Sequence, residues 1–434
     1  MKSHYTAIQS CFNLASFTGP GLVVLPFIAA TLLAISGATQ AQTWDTVDDA
    51  EGATGEGVYK ITSDGAGNIF AAGYLRDATQ RYHGIVMKRS IGGTSWGIVA
   101  DYPAVNDPAA PNGPFAGFTA IASADLPGGD RHLVVAGMDR RVSRPGIGHR
   151  PQWLIIRSIN GGAWETLNEY LHPTYDSSLT PRDVAVDASG NIYVVGMAKV
   201  SVAGTGNSNW LIRKGLATTG GMVWSTVGDF SYADGYDSEH GFNADGACSV
   251  SCVGTNVYVA GGGGNSWVVR KNSNGGNSWA VVDSYRYNKQ LKSHAHDIAA
   301  DSAGNLYAAG FGNKLGRRWI VRTSTNGGST WSTVDEFRLP SGSYGEANAI
   351  AIDTNNNVHV TGMASTTQVN WVTRQRSAAT GTWTTSEVFS LAPNQTSWGK
   401  SITADPSGNL FAAGYGYDAG GVNHGWFVRR KQAP

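Results

Sequence analysis

The sequence predicts an all-β fold: a seven-bladed β-propeller of four-stranded antiparallel blades. Three observations predict it. A strand–turn–strand segment recurs seven times. Each copy is followed by a second apolar pair of strands bracketed by tryptophans. The last repeat is one strand short, and the beginning of the chain supplies a matching segment.

The recurring segment is clearest at residues 183–196, DVAVDASGNIYVVG. Val184, Val186, Ile192 and Val194 are β-branched and flank Asp-Ala-Ser-Gly-Asn. Asp, Gly and Asn turn a chain tightly, through local side-chain hydrogen bonds or positive φ. The unit therefore reads as a hairpin. Close copies are 61–73, 298–310, 350–362 and 402–414, and looser ones are 121–137 and 249–261.

The second half of each repeat begins at Trp153, Trp210, Trp267, Trp319, Trp371 or Trp426, with Gly84 in that place in the first repeat. A second tryptophan follows at Trp96, Trp164, Trp224, Trp279, Trp331 and Trp383. Four strands in roughly 45–60 residues is the size of one propeller blade. The seventh repeat stops after Trp426-Phe-Val-Arg-Arg, and residues 43–48 (TWDTVD) resemble residues 331–335 (WSTVD). The leading strand is expected to complete the last blade. Such closure removes the open sheet edges that invite aggregation.

Residues 1–41 read as a Sec signal peptide, leaving 43–434 as a single domain. Lys2 is the only formal charge before Asp45, and an apolar run of about fifteen residues spans 21–36. That is short for a bilayer span of ~20 residues. The small residues that follow place cleavage after Ala38 or Ala41. The expected location is outside the cytoplasm of a bacterial cell: secreted, periplasmic or at the cell surface. Without Lys2 the chain carries 31 basic and 32 acidic residues. This balance argues against a nucleic-acid or membrane-surface partner. The expected molecule is a monomer without a cofactor. Cys248 and Cys252 would lie ~13 Å apart on one extended strand, beyond the ~7 Å reach of a disulfide, so two buried free thiols are expected.

These patterns carry a resemblance. Residues 183–196 are similar to the repeat of secreted bacterial β-propeller proteins. Residues 324–331 (STNGGSTW) resemble the Asp-box of sialidase-type propellers, with Asn326 where the Asp would stand. The resemblance implies architecture: in such propellers the box is a structural turn away from the active site. Sialidases also carry an arginine triad, an F/Y-R-I-P motif and a Tyr–Glu pair, and this chain has no R-I-P.

Within a blade, the first-to-second and third-to-fourth turns open on one face. Here they are short and repetitive. The second-to-third loops and the links between blades open on the other face, and they differ in every repeat: 138–151, 229–246 and 415–425 are examples. Variation confined to one face is how a scaffold carries a binding surface. One column also varies inside the repeat, just before each innermost strand. Its pairs are Tyr59-Lys60, Thr119-Ala120, Arg182-Asp183, Ala247-Cys248, His296-Asp297, Asn348-Ala349 and Lys400-Ser401. These should ring the mouth of the central channel, where convergent polar groups make a binding site. Lining a water-filled bore is the plainer alternative.

Other clusters have plainer readings too. His294 and His296 share a face but lack a third ligand, so they read as polar rim rather than a metal site. Asp234, Asp237, Glu239 and Asp245 form an acidic loop that does not match an EF-hand. Arg140, Arg141, Arg144 and Arg150 form a basic, solvated loop. Asp183 and Asp297 could serve as a carboxylate pair for glycoside chemistry, which needs ~5–10 Å between groups; Asp183 reads equally as a blade-edge hydrogen-bond partner. The repeat tryptophans read as blade core. Trp398 alone falls outside the repeat columns, in a variable link, and is the candidate for stacking on a sugar.

No H-E-x-x-H is present either. The function expected first is non-catalytic binding of a glycan or protein by the variable-loop face. The candidate ligand residues are Tyr59, Lys60, Arg182, Asp183, His296, Asp297, Asn348, Lys400 and Trp398. The alternative is a polysaccharide hydrolase or lyase at the channel mouth, with Arg182 or Lys400 holding a substrate carboxylate and His296, Tyr59 or Asp297 moving a proton.

Overall fold

The computed structural model describes residues 43–49, 57–77, 81–102, 116–139, 151–173, 178–199, 208–231, 246–276 and 278–433. The segment read above as a signal peptide, the basic loop of Arg140 to Arg150 and the acidic loop of Asp234 to Asp245 lie outside the described residues. Twenty-eight strands form seven four-stranded antiparallel sheets. Blades 1 to 6 each use four consecutive strands. Blade 7 is built from Ser397–Ala404, Leu410–Tyr417, Asn423–Lys431 and the leading strand Trp44–Asp49. Trp44 lies opposite Lys431 and Asp49 opposite Phe427. Each inner strand lies against that of the next blade, and blade 7's against blade 1's, so the ring is closed as the repeat offset predicts.

The hairpin motif D-x-x-G-N is explained by its bonds. In residues 187–191, Asp187 Oδ1 accepts from the amides of Ser189 and Asn191, and Asn191 Nδ2 donates to Asp187 Oδ2 at 2.8 Å. Gly190 supplies the positive φ of 79°. The same set recurs at Asp64, Asp301, Asp353 and Asp405. Where the glycine is missing, Asn356 takes φ 60°, which Asn tolerates better than other side chains.

A second device fixes the centre of every blade. Each inner strand carries one β-bulge at the same position, leaving Tyr59, Thr119, Arg182, Cys248, His296, Asn348 and Lys400 without a ladder partner. The residue before the bulge always faces a glycine on the second strand, as in Ala295 with Gly310 and Ala347 with Gly362. The bend lowers a carbonyl onto that glycine. A Cβ on Gly362 would stand 2.1 Å from the Glu346 carbonyl oxygen and 3.0 Å from the Trp319 ring of the preceding blade. The absent side chain thus makes room for both the bulge and the neighbour's indole. Trp267, Trp371 and Trp426 fill this role at Gly310, Gly414 and Gly73, and Trp153 and Trp210 are likewise fully buried. Blade 1 has Gly84 instead, and Phe118 of blade 2 occupies the space: a Cβ on Gly84 would meet its ring at 3.3 Å.

The outer halves of the seams use charge. Arg322 of blade 5 donates from Nε and Nη2 to Asp283 of blade 4 at 2.8 and 3.0 Å, and lies over Tyr285. Arg374 of blade 6 treats Asp335 and Phe337 of blade 5 the same way. Arg429 of blade 7 does so with Glu387 and Phe389 of blade 6. Arg213 and Arg270 cover Tyr170 and Phe230 in the same manner. In blades 1 and 2 this column holds Met87 and Ile156.

Candidate functional site

The bulge does more than bend a strand. It rotates one side chain per blade toward the channel mouth on the variable-loop face, and the next residue points deeper. The two levels differ in exposure. Among the bulge residues, Tyr59 and Arg182 are exposed and Cys248, His296, Asn348 and Lys400 half-buried, whereas Ala120, Asp183, Ser249, Asp297, Ala349 and Ser401 behind them are buried. This corrects the expected pair Ala247-Cys248. The register places Ala247 opposite Gly261 and leaves Cys248 in the bulge, so the blade 4 pair is Cys248-Ser249. Cys248 and Cys252 form no disulfide, as expected, but they are half-buried rather than fully buried.

The deeper level closes the channel with a polar plug. Lys60 Nζ lies 3.3 Å from Asp183 and 3.7 Å from Asp297. Ser249 Oγ lies 2.8 Å from Asp183 Oδ2 and 2.5 Å from Asp297 Oδ1. The amides of Val250 and Ile350, each on the following blade, donate to Asp183 and Asp297. Burial works against the Lys60 charge, but the two carboxylates overcome it and hold the ammonium above the ordinary lysine range. Burial also pushes Asp183 up, while Lys60 and the Ser249 and Val250 donors pull it back. Three expected ligand residues, Lys60, Asp183 and Asp297, are therefore committed to one another, and to holding blades 1, 3, 4 and 5 together. Each oxygen of the two aspartates already has a partner within the plug or on the following blade.

Above the plug the bulge residues form the floor of a cup. Several tie their blade to the next through the carbonyl before its bulge: Thr119 Oγ1 donates to Pro181 O, and Asn348 Nδ2 to Gly399 O at 2.8 Å. His296 Nδ1 meets Ala347 O at 3.0 Å. A carbonyl only accepts, so Nδ1 carries the proton and the lone pair of the neutral ring is on Nε2. Burial, together with the positive charges of Arg317, Lys400 and Lys292, drops the His296 pKa to about 4 despite the carbonyl bond. The ring is neutral at physiological pH.

Lys400 extends over Trp398 at 4.5 Å and Tyr415 at 5.5 Å from the ring centroids. Burial and the Arg182 guanidinium lower its pKa to about 8. Arg182 reaches the Met197 sulfur at 3.4 Å, and its charge is felt by Tyr59, Cys248 and Lys400. Burial pushes the Cys248 thiol up to about 11, so it is not a thiolate nucleophile at neutral pH. These groups come from blades 1, 3, 4, 5 and 7, and the charges of Arg182 and Lys400 are felt by the side chains around them.

Trp398 is not in a link, as expected, but on the inner strand of blade 7, two residues before the bulge and 5.3 Å from Tyr415. The same offset brings in His294, read above as polar rim, and Glu346, which sequence reasoning missed. His294 and Glu346 stand two before the bulges of blades 5 and 6. Glu346 pairs with Arg317 and accepts from Tyr344. Arg317 covers Phe311 at 4.4 Å, and Phe311 stacks on His294. On blade 1, Tyr59, Tyr74 and Tyr82 follow one another at 5.6 Å. Among the described residues no group of three His, Cys, Asp or Glu is placed to hold a metal.

Fold and site together define a plugged seven-bladed propeller with a cationic, aromatic cup on its variable face. Proteins of known structure share the architecture. One is an ulvan lyase, representing a new family of polysaccharide lyases: TM-score 0.50 at 9% identity, covering 89% of this chain and 96% of that one. Another is an intramolecular trans-sialidase from Ruminococcus gnavus, with TM-score 0.40 and 12% identity over 90% and 97% of the two chains. A protein of unknown function from Dyadobacter fermentans gives TM-score 0.44 and 11% identity over 90% and 99%. At such identities the likeness concerns the fold alone. No protein-family model and no curated protein sequence matches the chain. No helix among the described residues is long and apolar enough to cross a membrane.

Proposed function

We propose that this is an exported protein that binds an acidic glycan in the cup, with a carboxylate or sulfate of the sugar between Arg182 and Lys400 and a sugar face on Trp398. One observation carries the reading. Arg182 and Lys400 repel each other across the mouth, and among the described residues no carboxylate pairs with either. Two cations held together in a partly desolvated site call for an anion from outside. The aromatic rings beside them suit the apolar face of a pyranose.

The test is calorimetric titration with uronate-containing, sulfated and neutral oligosaccharides. The acidic ones bind wild type, and Arg182→Gln and Lys400→Met each weaken binding about tenfold or more, the loss of one charge-assisted bond. Equal binding of neutral and acidic sugars sinks the proposal. Affinity also falls as pH rises through about 8, where Lys400 loses its proton.

The His296 tautomer favours a second reading, eliminative cleavage of a uronate. Arg182 and Lys400 would neutralise the carboxylate and so acidify the carbon-bound hydrogen beside it. His296 Nε2 would take that proton, and the electron pair would form a C=C bond as the glycosidic oxygen leaves and is protonated. Incubation of uronate polymers with the protein, read by ultraviolet absorbance of the unsaturated end, decides between the readings: product formed by wild type and lost in His296→Gln establishes cleavage, and no product leaves binding alone.

A further inference from the structure

The polar plug is short of one hydrogen. Ser249 Oγ lies 2.8 Å from Asp183 Oδ2 on blade 3 and 2.5 Å from Asp297 Oδ1 on blade 5. Both lengths are those of O–H···O bonds, so each contact holds a hydrogen. A serine hydroxyl supplies one, and an ionised carboxylate supplies none. The Ile298 amide donates to both oxygens of the shorter contact, at 3.0 and 3.3 Å, and so lies beside that contact and not within it. The Val250 and Ile350 amides approach Asp183 Oδ2 and Asp297 Oδ2 from the following blades. The Lys60 ammonium meets Asp183 at its other oxygen, Oδ1, and stands 3.7 Å from Asp297 Oδ1. With both aspartates ionised, one of the two Ser249 contacts would set bare lone pairs against each other.

The charges point the same way. One ammonium faces two carboxylates, and Asp183 and Asp297 are both buried. Among the described residues, the other blades bring no second cation to this level: Ala120, Ala349 and Ser401 stand there in blades 2, 6 and 7. Blade 4 adds the Cys248 and Cys252 thiols, which burial keeps neutral by raising them to about 11 and about 12. Asp187, in the turn of blade 3, is a further negative charge on the Cys252 side. Arg182, His296 and Lys400 belong to the mouth above. There Arg182 reaches the Met197 sulfur, Lys400 lies over Trp398, and the His296 ring is neutral. A second carboxylate charge without a partner is costly in such surroundings, and burial pushes the Asp183 carboxyl up.

We infer that the plug holds one extra proton, shared by Asp183 and Asp297 through Ser249, so that it consists of an ammonium, one carboxylate and one carboxylic acid. The acid donates to Ser249 Oγ, and the Ser249 hydroxyl donates to the other carboxylate; the reverse order satisfies the same contacts. The two aspartates therefore titrate as a pair. The proton makes the seal of the channel pH-sensitive. In the unfolded chain an aspartic acid loses its proton near about pH 4, whereas the plug keeps one above that. The folded state thus binds one more proton than the unfolded chain, from about pH 4 up to the folded pKa of the pair. Over that window stability falls as pH rises, by about tenfold in the unfolding constant per pH unit. Above it, two like charges face each other across Ser249 and one of its two bonds is lost.

The experiment is infrared spectroscopy of the purified protein at neutral pH, where the C=O stretch of a carboxylic acid stands apart from the carboxylate bands. Wild type is expected to show a buried acid, and Asp183→Asn and Asp297→Asn are each expected to lack it. Asparagine imitates the neutral acid, because its amide donates to Ser249 as the acid does, so both variants are expected to fold. No acid band in wild type overturns the inference, whatever the variants do. A band kept in either variant also overturns it, since the acid then does not depend on the pair. Denaturant unfolding between about pH 5 and 7 is the second measurement. Wild type is expected to weaken by about tenfold per pH unit relative to Asp183→Asn, every other titrating group being common to both. Equal slopes refute the shared proton.

Discussion

The seams of the ring fall into two kinds. Those entering blades 5, 6 and 7 are bolted on their outer half by an arginine that pairs with an acid and covers an aromatic ring of the blade before. The two seams flanking blade 1 carry Met87 and Ile156 in that column, and the second also exchanges the buried indole for Phe118. Directional and non-directional contacts thus do the same task in different sectors. A bidentate pair specifies the angle between two blades, whereas apolar packing requires only that volume be filled. In this column blade 1 therefore has no directional contact on either side, although Arg131 pairs with Asp64 and Trp164 Nε1 donates to Val99 O across its seam with blade 2.

The comparison can be broken from the charged side first. Asp335→Ala leaves Arg374 buried and uncompensated and is expected to cost about 3–5 kcal/mol by denaturant unfolding. Pairing Asp335→Leu with Arg374→Met should recover most of that loss; a double variant as unstable as the single one would show that the bolt contributes net stability. On the apolar side, Phe118→Ala opens a cavity at a residue 1% exposed, with a loss of about 3–4 kcal/mol. Adding Gly84→Trp to it recreates the arrangement of the other seams and should regain about half. Gly84→Trp alone collides with Phe118 and destabilises. If the double variant is no better than Phe118→Ala, the exchange of Trp for Phe is not the compensation described above. The smallest effect is expected from Met87→Leu, below about 1.5 kcal/mol. In hydrogen exchange, the blade 1 strands should lose protection before those of blades 5 and 6.

Much of this architecture can be read from the chain. The turn bonds of Asp187 and Asn191 are local, and the glycine and tryptophan columns repeat because every blade solves the same packing problem. The variable column before each inner strand is visible for the same reason, standing out against uniform neighbours. Its depth is not. Whether Lys60 faces the mouth or the plug depends on Asp183 and Asp297, two and four blades away across the channel. Blade 4 is misread by one residue because its hairpin, turning between Val253 and Asn256, is one residue shorter than the aspartate turns that align the others, and Cys252 lies in the strand opposite Val257. Glu346, Arg317 and Tyr344 come together only through the offset of two residues before the bulge, combined with a loop that returns to it. Trp398 is legible as an exception, but its place beside Lys400 is not.

The unpaired residue at each kink has a consequence for change. It contributes nothing to the ladder, and the glycine opposite its predecessor already accommodates the distorted backbone. Its side chain can thus be exchanged without breaking the ladder, most freely where it makes no bond to the next blade as Thr119, His296 and Asn348 do. The molecule carries seven such addresses around one axis, each already aimed at the same small volume. A combinatorial library over these positions would sample new specificities while leaving the scaffold's own grammar intact.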